Sequence, residues 1–128
     1  YAVVDAINAG LLLSCHDISD GGIAATISEL LLGGDSDGEI GAEISIDFSN
    51  LRSDKALFSE SSGFVFEVEG KNIARLKDVF RFYKLHLTEL GKTKGKNLVV
   101  RNKNKAIVNL PISKLKEAWT RGFAEALE

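Results

Sequence analysis

The stretch from Asp17 to Gly22, DISDGG, holds the residues whose types and spacing best suit chemistry. It lies between an apolar run that predicts a buried strand over residues 11–15 and a helix predicted over residues 23–32. The first turn of a helix presents unpaired N–H groups, and paired glycines let a bulky group approach them, so the pattern favours a bound phosphate. Asp17 and Asp20 would repel a bare phosphate, but they suit the Mg²⁺ that accompanies a nucleotide.

The same six residues also fit a simpler structure, a capped turn between a strand and a helix. Ser19 or Asp20 can accept hydrogen bonds from the free N–H groups of the helix. Gly21 and Gly22 then serve only to let the backbone turn. The stretch matches neither GxxxxGK[ST] nor GxGxxG, so its spacing leaves both structures open.

Other reactive side chains lie close to this stretch or in a second polar segment. Cys15 and His16 are adjacent on a predicted strand and point to opposite faces, so they form no nucleophile–base dyad. We expect Cys15 to be buried and structural, and His16 to be either a cleft residue or an ordinary hydrogen-bonded histidine. Glu60, in LFSESSG, either lines a cleft or caps a turn. One Cys and two distant His residues predict no zinc site.

The elements that position these residues alternate between helices and strands. They predict a single α+β domain over residues 1–128, with a mixed, mostly antiparallel sheet and packed helices. Beyond the strand and helix already named, we expect helices over residues 1–9, 53–58, 73–83 and from Pro111 onward, strands over 40–46, 64–68 and 85–90, a polar turn over 35–38, and a hairpin from 98 to 110.

Composition and charge exclude several classes of protein. Charged residues make up 27% of the chain and the formal net charge is −2, which predicts a globular domain without general affinity for nucleic acid. Residues 1–63 carry 11 acidic and 2 basic residues, whereas residues 64–128 carry 7 acidic and 14 basic residues. The basic run over residues 92–105 is either a surface for phosphates or an acidic partner, or a solvated hairpin with charged edges.

The apolar runs are too short for a spanning helix, and no signal-peptide pattern is present, so we expect no membrane partner and a cytoplasmic location. A single Cys excludes an internal disulfide. The sequence has no Met and opens at Tyr1, which leads us to expect a piece of a longer protein.

Four segments in order resemble one enzyme family: HDISDGG, LFSESSGFVFEV, ELGKT and KLKEAW. They are similar to the C-terminal part of phosphoribosylformylglycinamidine synthase, in the superfamily of aminoimidazole ribonucleotide synthetase. The resemblance covers nearly the whole chain, and HDISDGG is its most specific part. One departure is visible, because Gly63 stands where the family often has an Arg before the strand.

The resemblance implies an ATP-dependent ligase of purine biosynthesis, which uses glutamine-derived ammonia to convert formylglycinamide ribonucleotide to formylglycinamidine ribonucleotide. It implies that ATP and Mg²⁺ act in the intact enzyme and that this piece alone holds neither. The implied partners are the remaining domains of the synthetase, a glutaminase and small accessory subunits.

The family's catalytic residues are expected outside this chain, so the resemblance assigns none here, and no metal ligand. It places His16, Asp17, Ser19, Asp20, Gly21 and Gly22 at an interdomain cleft, which is either the catalytic cleft or its pseudo-symmetric partner, with Glu60 as a further cleft candidate. The alternative is a stand-alone α+β module that binds a phosphate ligand without catalysis.

Overall fold

The computed structural model describes residues 1–34, 39–47 and 49–127, without the side chain of Phe123. The predicted α+β class is confirmed, whereas the turn predicted over residues 35–38 lies outside the described residues. A short 3-10 turn at Gly70–Asn72 leads into the helix that begins at Ile73. The elements, in chain order, are α1 (Ala2–Asn8), β1 (Ser14–Ile18), α2 (Gly22–Leu32), β2 (Ala42–Ser45), α3 (Ser53–Phe58), β3 (Gly63–Glu67), α4 (Ile73–Phe82), β4 (Gly91–Thr93), β5 (Asn97–Asn102), β6 (Lys105–Pro111) and α5 (Ile112–Ala126).

The described strands form two sheets. β1 and β3 pair antiparallel as a two-stranded ribbon, with His16 opposite Val65 and Asp17 opposite Phe64. The second sheet has the order β4-β2-β5-β6, in which β2 and β5 run parallel and the other two pairs run antiparallel. The sheets are therefore mixed and mostly antiparallel, as the sequence predicts.

Two hydrophobic clusters lie on opposite sides of the ribbon. The first joins α2, α3 and α5 to the four-stranded sheet, and Ile18 and Val65 of the ribbon pack against it. The second joins α1 to α4, and Phe66 packs against it, with its ring 5.6 Å from that of Phe80. The ribbon is thus a shared middle layer, because neighbouring residues of each strand point to opposite faces.

Glycine and turn residues set several boundaries in the way the sequence suggests. α1 ends with Gly10 at φ +65°, where the N–H groups of Gly10 and Leu11 bond to the carbonyls of Ile7 and Ala6. This is the Schellman arrangement, which favours glycine. The predicted hairpin is confirmed, and Lys103 and Asn104 both have positive φ, as a type I′ turn requires.

One predicted strand is not formed, and two helices expose apolar residues. Residues 85–90 form no strand, and β4 begins only at Gly91. Leu87 and Leu90 pack against the two clusters, and the Leu90 carbonyl accepts a hydrogen bond from the N–H of Ser45 at 2.7 Å. On α1 the buried face carries Ala2 and Ala6, and Val4 and Ile7 are exposed.

α5 packs against the rest of the protein near its start. Ile112 is buried and Leu115 is partly buried, but Trp119 one turn further along is exposed. Among the described side chains of this helix, the apolar ones that pack are therefore in its first two turns. None of the helices in the described residues is both long and apolar enough to cross a bilayer.

Candidate functional site

Asp17 lies in the last part of β1 and not in the loop where the sequence places it, because the strand runs three residues later than predicted. Its side chain is 62% exposed. Asp17 pairs with Phe64 of β3, which is 53% exposed, and directly paired residues share a face of the ribbon. An acidic group and an aromatic ring therefore lie side by side on the part of this face that the second cluster leaves uncovered.

The turn after the strand is closed by backbone groups. The N–H of Gly22 donates to the carbonyl of Ser19 at 3.0 Å, and Gly21 has φ +81° and ψ +3°, the values of the third position of a type II turn. Gly21 is the N-cap of α2 and has no side chain to cap the helix, and the side chains of Ser19 and Asp20 make no capping hydrogen bond. The predicted caps are therefore wrong, and Ser19 and Asp20 are exposed turn residues.

Gly22 is required by a close approach within the chain itself. A Cβ atom there would lie 2.7 Å from the carbonyl oxygen of Leu57 and 2.8 Å from that of Ser59, and the residue has φ +67°. The sequence predicts that this space admits a bulky group. That prediction is wrong for Gly22, since the backbone after α3 fills the space.

Glu60 supplies the contact that Ser19 and Asp20 do not. Its Oε1 accepts a hydrogen bond from the N–H of Gly21 at 3.2 Å, across 39 positions of sequence. A carboxylate at a helix start also complements the helix dipole. Of the two predicted roles for Glu60, the structure bears out the capping contact, and it ties the LFSESSG segment to the DISDGG stretch.

Gly63, at the position where the family often has an Arg, is paired with a residue of the neighbouring strand. Gly63 begins β3 opposite Ile18, and a Cβ at Gly63 would lie 3.2 Å from Cδ1 of that side chain. Ile18 packs against the first cluster, so a larger residue at Gly63 would press on the core.

Thr26 is a residue that the sequence analysis missed. Its side chain is 2% exposed, the one buried polar side chain among the described residues. Its Oγ1 lies 3.1 Å from the carbonyl oxygens of both Asp17 and Gly22. Its position four residues after Gly22 could have predicted the second of these contacts, because a helical Thr commonly donates to the carbonyl one turn back.

His16 faces α2. Its Nε2 lies 2.8 Å from Oε2 of Glu29, and its Nδ1 lies 2.6 Å from the carbonyl oxygen of Asp17. Strand alternation directs His16 to the ribbon face opposite the Asp17 side chain. Of the two predicted roles, these contacts fit the ordinary hydrogen-bonded histidine that links β1 to α2.

Cys15 is exposed, so the prediction of a buried, structural thiol is wrong. The strand begins later than expected, and this places Cys15 opposite Phe66, on the face of the ribbon that the second cluster covers only in part. Partial burial, and to a lesser degree the charge of Asp17, raise the pKa of the Cys15 thiol. A raised pKa suppresses the thiolate, which argues against a nucleophilic role at neutral pH.

Two cavities of the described residues lie away from the DISDGG stretch. A cavity of about 430 Å³ lies beside α4 and one of about 420 Å³ lies beside α3. Neither is lined by residues 16–22, and Glu60 already occupies the N–H of Gly21. The described part of the chain also holds no group of three His, Cys, Asp or Glu side chains placed for a metal. Asp17 and Asp20 are exposed acidic groups.

The basic run over residues 92–105 is partly neutralised by its own sheet. Glu43 of β2 lies between Lys94 Nζ at 2.5 Å and Arg101 Nε at 3.2 Å. Hydrogen bonds from Lys94 and then Arg101 lower the pKa of the Glu43 carboxyl. Asp47 accepts a hydrogen bond from the N–H of Lys103 at the hairpin turn. These contacts favour the solvated hairpin over a dedicated anion-binding surface.

Comparison with known proteins gives consistent matches. The family profile described as "AIR synthase related protein, C-terminal domain" matches residues 1–103. The "Phosphoribosylformylglycinamidine synthase subunit PurL" of Methanothrix thermoacetophila is 39% identical over 99% of this chain, which spans 16% of that relative's length.

Solved structures share the fold. The chain superposes on T. maritima PurL complexed with ATP with a TM-score of 0.77 at 20% identity, over 89% of this chain and 20% of the other. The same protein complexed with FGAR gives a TM-score of 0.76 at 20% identity, over 89% of this chain and 19% of the other.

Proposed function

The chain belongs to the family of AIR synthase related proteins, of which it has the C-terminal domain, and on that premise we propose that it works within a longer synthetase. The reaction is the ATP-dependent conversion of formylglycinamide ribonucleotide and glutamine-derived ammonia to formylglycinamidine ribonucleotide. The observation that carries this proposal is the match of nearly the whole chain to a PurL subunit about six times as long.

Within that enzyme, the chain forms one wall of an interdomain cleft. The proposal is supported by Asp17 and Phe64, which are paired and exposed on the part of the ribbon that the second cluster leaves uncovered. An exposed aromatic ring beside a carboxylate suits a surface that another domain covers, since that domain gains apolar contact and meets the acid. Phe64 stacks on Phe66 with the two rings 7° from parallel, which holds it in place.

The chain contributes carboxylates to this cleft and does not hold the nucleotide alone. Asp17 and Asp20 are the residues suited to the Mg²⁺ that accompanies ATP, because Mg²⁺ prefers oxygen ligands. The phosphate-binding groups are assigned to the remaining domains, since Glu60 and the backbone of residues 57–59 fill the space at Gly21 and Gly22. His16 and Ser19 support the shape of this wall from within the chain.

The partners of the chain in this proposal are the remaining domains of the synthetase, a glutaminase and small accessory subunits. The proposed location of the enzyme is the cytoplasm. The isolated 128 residues are inactive in this proposal, because the catalytic groups lie in the other domains. This is the main difference from a stand-alone phosphate-binding module, which would bind its ligand without them.

The test uses the longest natural polypeptide that contains this sequence. ATP turnover is measured with ammonia and with formylglycinamide ribonucleotide present or omitted, so that no glutaminase is needed. We expect turnover that requires the ribonucleotide, and we expect Asp17→Asn to lower it by at least ~10-fold. Asp78→Asn, on the outer face of α4, is the matched control and keeps full activity.

Two outcomes contradict different parts of the proposal. ATP turnover that is absent or independent of the ribonucleotide removes the synthetase function. Ribonucleotide-dependent turnover that Asp17→Asn leaves unchanged keeps the function but removes the DISDGG stretch from the cleft. Binding of inorganic phosphate by the 128 residues alone, lost in Gly21→Ala, would support the stand-alone module.

A further inference from the structure

The buried hydroxyl of Thr26 joins the two ends of the DISDGG stretch. Its Oγ1 is 3.1 Å from the carbonyl oxygen of Asp17, one residue before the end of β1, and 3.1 Å from that of Gly22, where α2 begins. A hydroxyl has one hydrogen, so the two carbonyls share it. The contact fixes the distance between the strand end and the first turn of the helix.

The hydrogen bonds of Thr26 are shielded from water, so they restrain the backbone of the DISDGG stretch more strongly than its exposed hydrogen bonds do. Thr26 is 2% exposed, and the adjacent residue, Ile27, belongs to the first cluster. Water does not compete for a hydroxyl at this depth, whereas the hydrogen bond from Gly21 to Glu60 is exposed to solvent.

Each of the two carbonyls has a second hydrogen-bond donor. The effect of Thr26 on the position of Asp17 can therefore be separated from its effect on the stability of the fold. The Asp17 carbonyl also lies 2.6 Å from Nδ1 of His16, and the Gly22 carbonyl lies one turn before Thr26 in α2. Loss of the hydroxyl therefore leaves neither carbonyl without a donor, and the fold keeps most of its stability. What changes is the restraint on the backbone of Asp17.

We propose that Thr26 is a positioning residue for the Asp17 carboxylate. By holding the carbonyl of Asp17 against the first turn of α2, the hydroxyl sets the direction in which that side chain leaves the ribbon. This inference rests on the proposed function, in which Asp17 faces the interdomain cleft. Thr26 itself touches neither substrate nor nucleotide.

The first experiment is a double-mutant cycle in the intact synthetase. Thr26→Val removes the hydroxyl at nearly constant volume, and Thr26→Ser keeps the hydroxyl and serves as the matched control. We expect Thr26→Val to lower kcat/KM by ~10- to 100-fold, the range for a small misplacement of a reacting group. Thr26→Ser restores activity to within about threefold of the parent, because its hydroxyl reaches the same carbonyls.

The cycle distinguishes positioning from general damage. In the Asp17→Asn background, Thr26→Val should have almost no further effect, since it acts through the group already removed. An equal fold-loss in both backgrounds, or full activity of Thr26→Val, overturns the inference. Should valine not be accepted by the core, Thr26→Ala removes the hydroxyl without a new branch.

A second readout does not depend on activity. Amide hydrogen exchange in the 128-residue chain should rise several-fold at residues 18–22 in Thr26→Val, and stay unchanged in α4 and in Thr26→Ser. Unchanged exchange at residues 18–22 contradicts the inference even if the synthetase proves inactive. Failure of the synthetase assay with raised exchange removes the proposed function and leaves the restraint by Thr26 in place.

Discussion

The carboxylate of Glu60 accepts a hydrogen bond from the backbone N–H of Gly21 at 3.2 Å, although 39 positions separate the two residues. The contact joins the segment after α3 to the start of α2. It takes the place of the Ser or Asp side chain that usually caps a helix.

The first prediction concerns the energy of this contact. We expect Glu60→Ala to lower the free energy of unfolding by about 1 kcal/mol, because a helix N-terminus loses its acceptor. Glu60→Gln keeps an oxygen at the same place and should lose about half as much. Urea unfolding of the chain measures both, with Glu125→Ala on the exposed side of α5 as control. A Glu60→Ala variant as stable as the parent contradicts the capping role.

The second prediction separates backbone strain from close packing at two glycines. Gly10 and Gly22 have φ of +65° and +67°, but only Gly22 has backbone atoms where a Cβ would lie. Gly10→Ala should cost about 1–2 kcal/mol for the left-handed conformation alone. Gly22→Ala should cost a further 1–3 kcal/mol, approximately, because the segment after α3 must shift.

Thermal and urea unfolding of the two variants provide the comparison. Equal losses would mean that the approach of residues 57–59 to Gly22 is absent in solution. The result also shows why a larger residue at Gly22 does not report on ligand binding, since such a variant disturbs the chain's own packing first.

The third prediction follows from the lowered pKa of Glu43. A carboxyl whose pKa is lower in the folded state than its ordinary value of 4.5 stabilises the fold above that value. The stabilisation is lost as the pH falls through the lower, folded value. Glu43→Gln should therefore lower the urea midpoint at pH 7 and have little effect near pH 2.

Glu125→Gln is the control for this pH series, because it lies at the exposed end of α5. Added salt should weaken the effect of Glu43→Gln, since Lys94 and Arg101 hold the carboxylate at the solvent-exposed surface. A difference between Glu43→Gln and the parent that stays constant down to pH 2 would contradict the assignment.

The fourth prediction concerns the exposed thiol of Cys15. Iodoacetamide should alkylate it in the folded chain, because the side chain is exposed, but more slowly at pH 8 than a free cysteine. Asp17→Asn removes the smaller of the two causes that raise the pKa, so it should increase the rate modestly. Protection of the thiol until global unfolding would contradict the exposure of the Cys15 side chain.

Local patterns in the sequence predicted the helices well and the strand β1 poorly. The bounds of α3 agree with the prediction, and α2 begins one residue before its predicted start, because apolar spacing and the glycines after it are local signals. The run LLL over residues 11–13 predicted a strand, but Leu11 packs into the second cluster before the strand begins. An apolar run states that residues are buried and not which backbone bonds they form.

The sequence predicted where in the chain the candidate site lies, but not the contacts that shape it. The stretch from Asp17 to Gly22 does join a strand to a helix, and the chain belongs to the family that the stretch indicated. The contacts of Glu60 with Gly21, and of residues 57–59 with Gly22, depend on the packing of α3 against α2. No local pattern encodes such contacts, because they form between segments far apart in sequence.

The position of the ribbon between the two clusters has a consequence for how the chain folds. Its strands come from residues 14–18 and 63–67, so their pairing closes a long loop and is slow compared with hairpin formation. Neither cluster is complete until that pairing forms, because each packs on one face of the ribbon. The two clusters should therefore melt in a single cooperative transition, with the slowest-exchanging amides in β1 and β3 and not in the hairpin of β5 and β6.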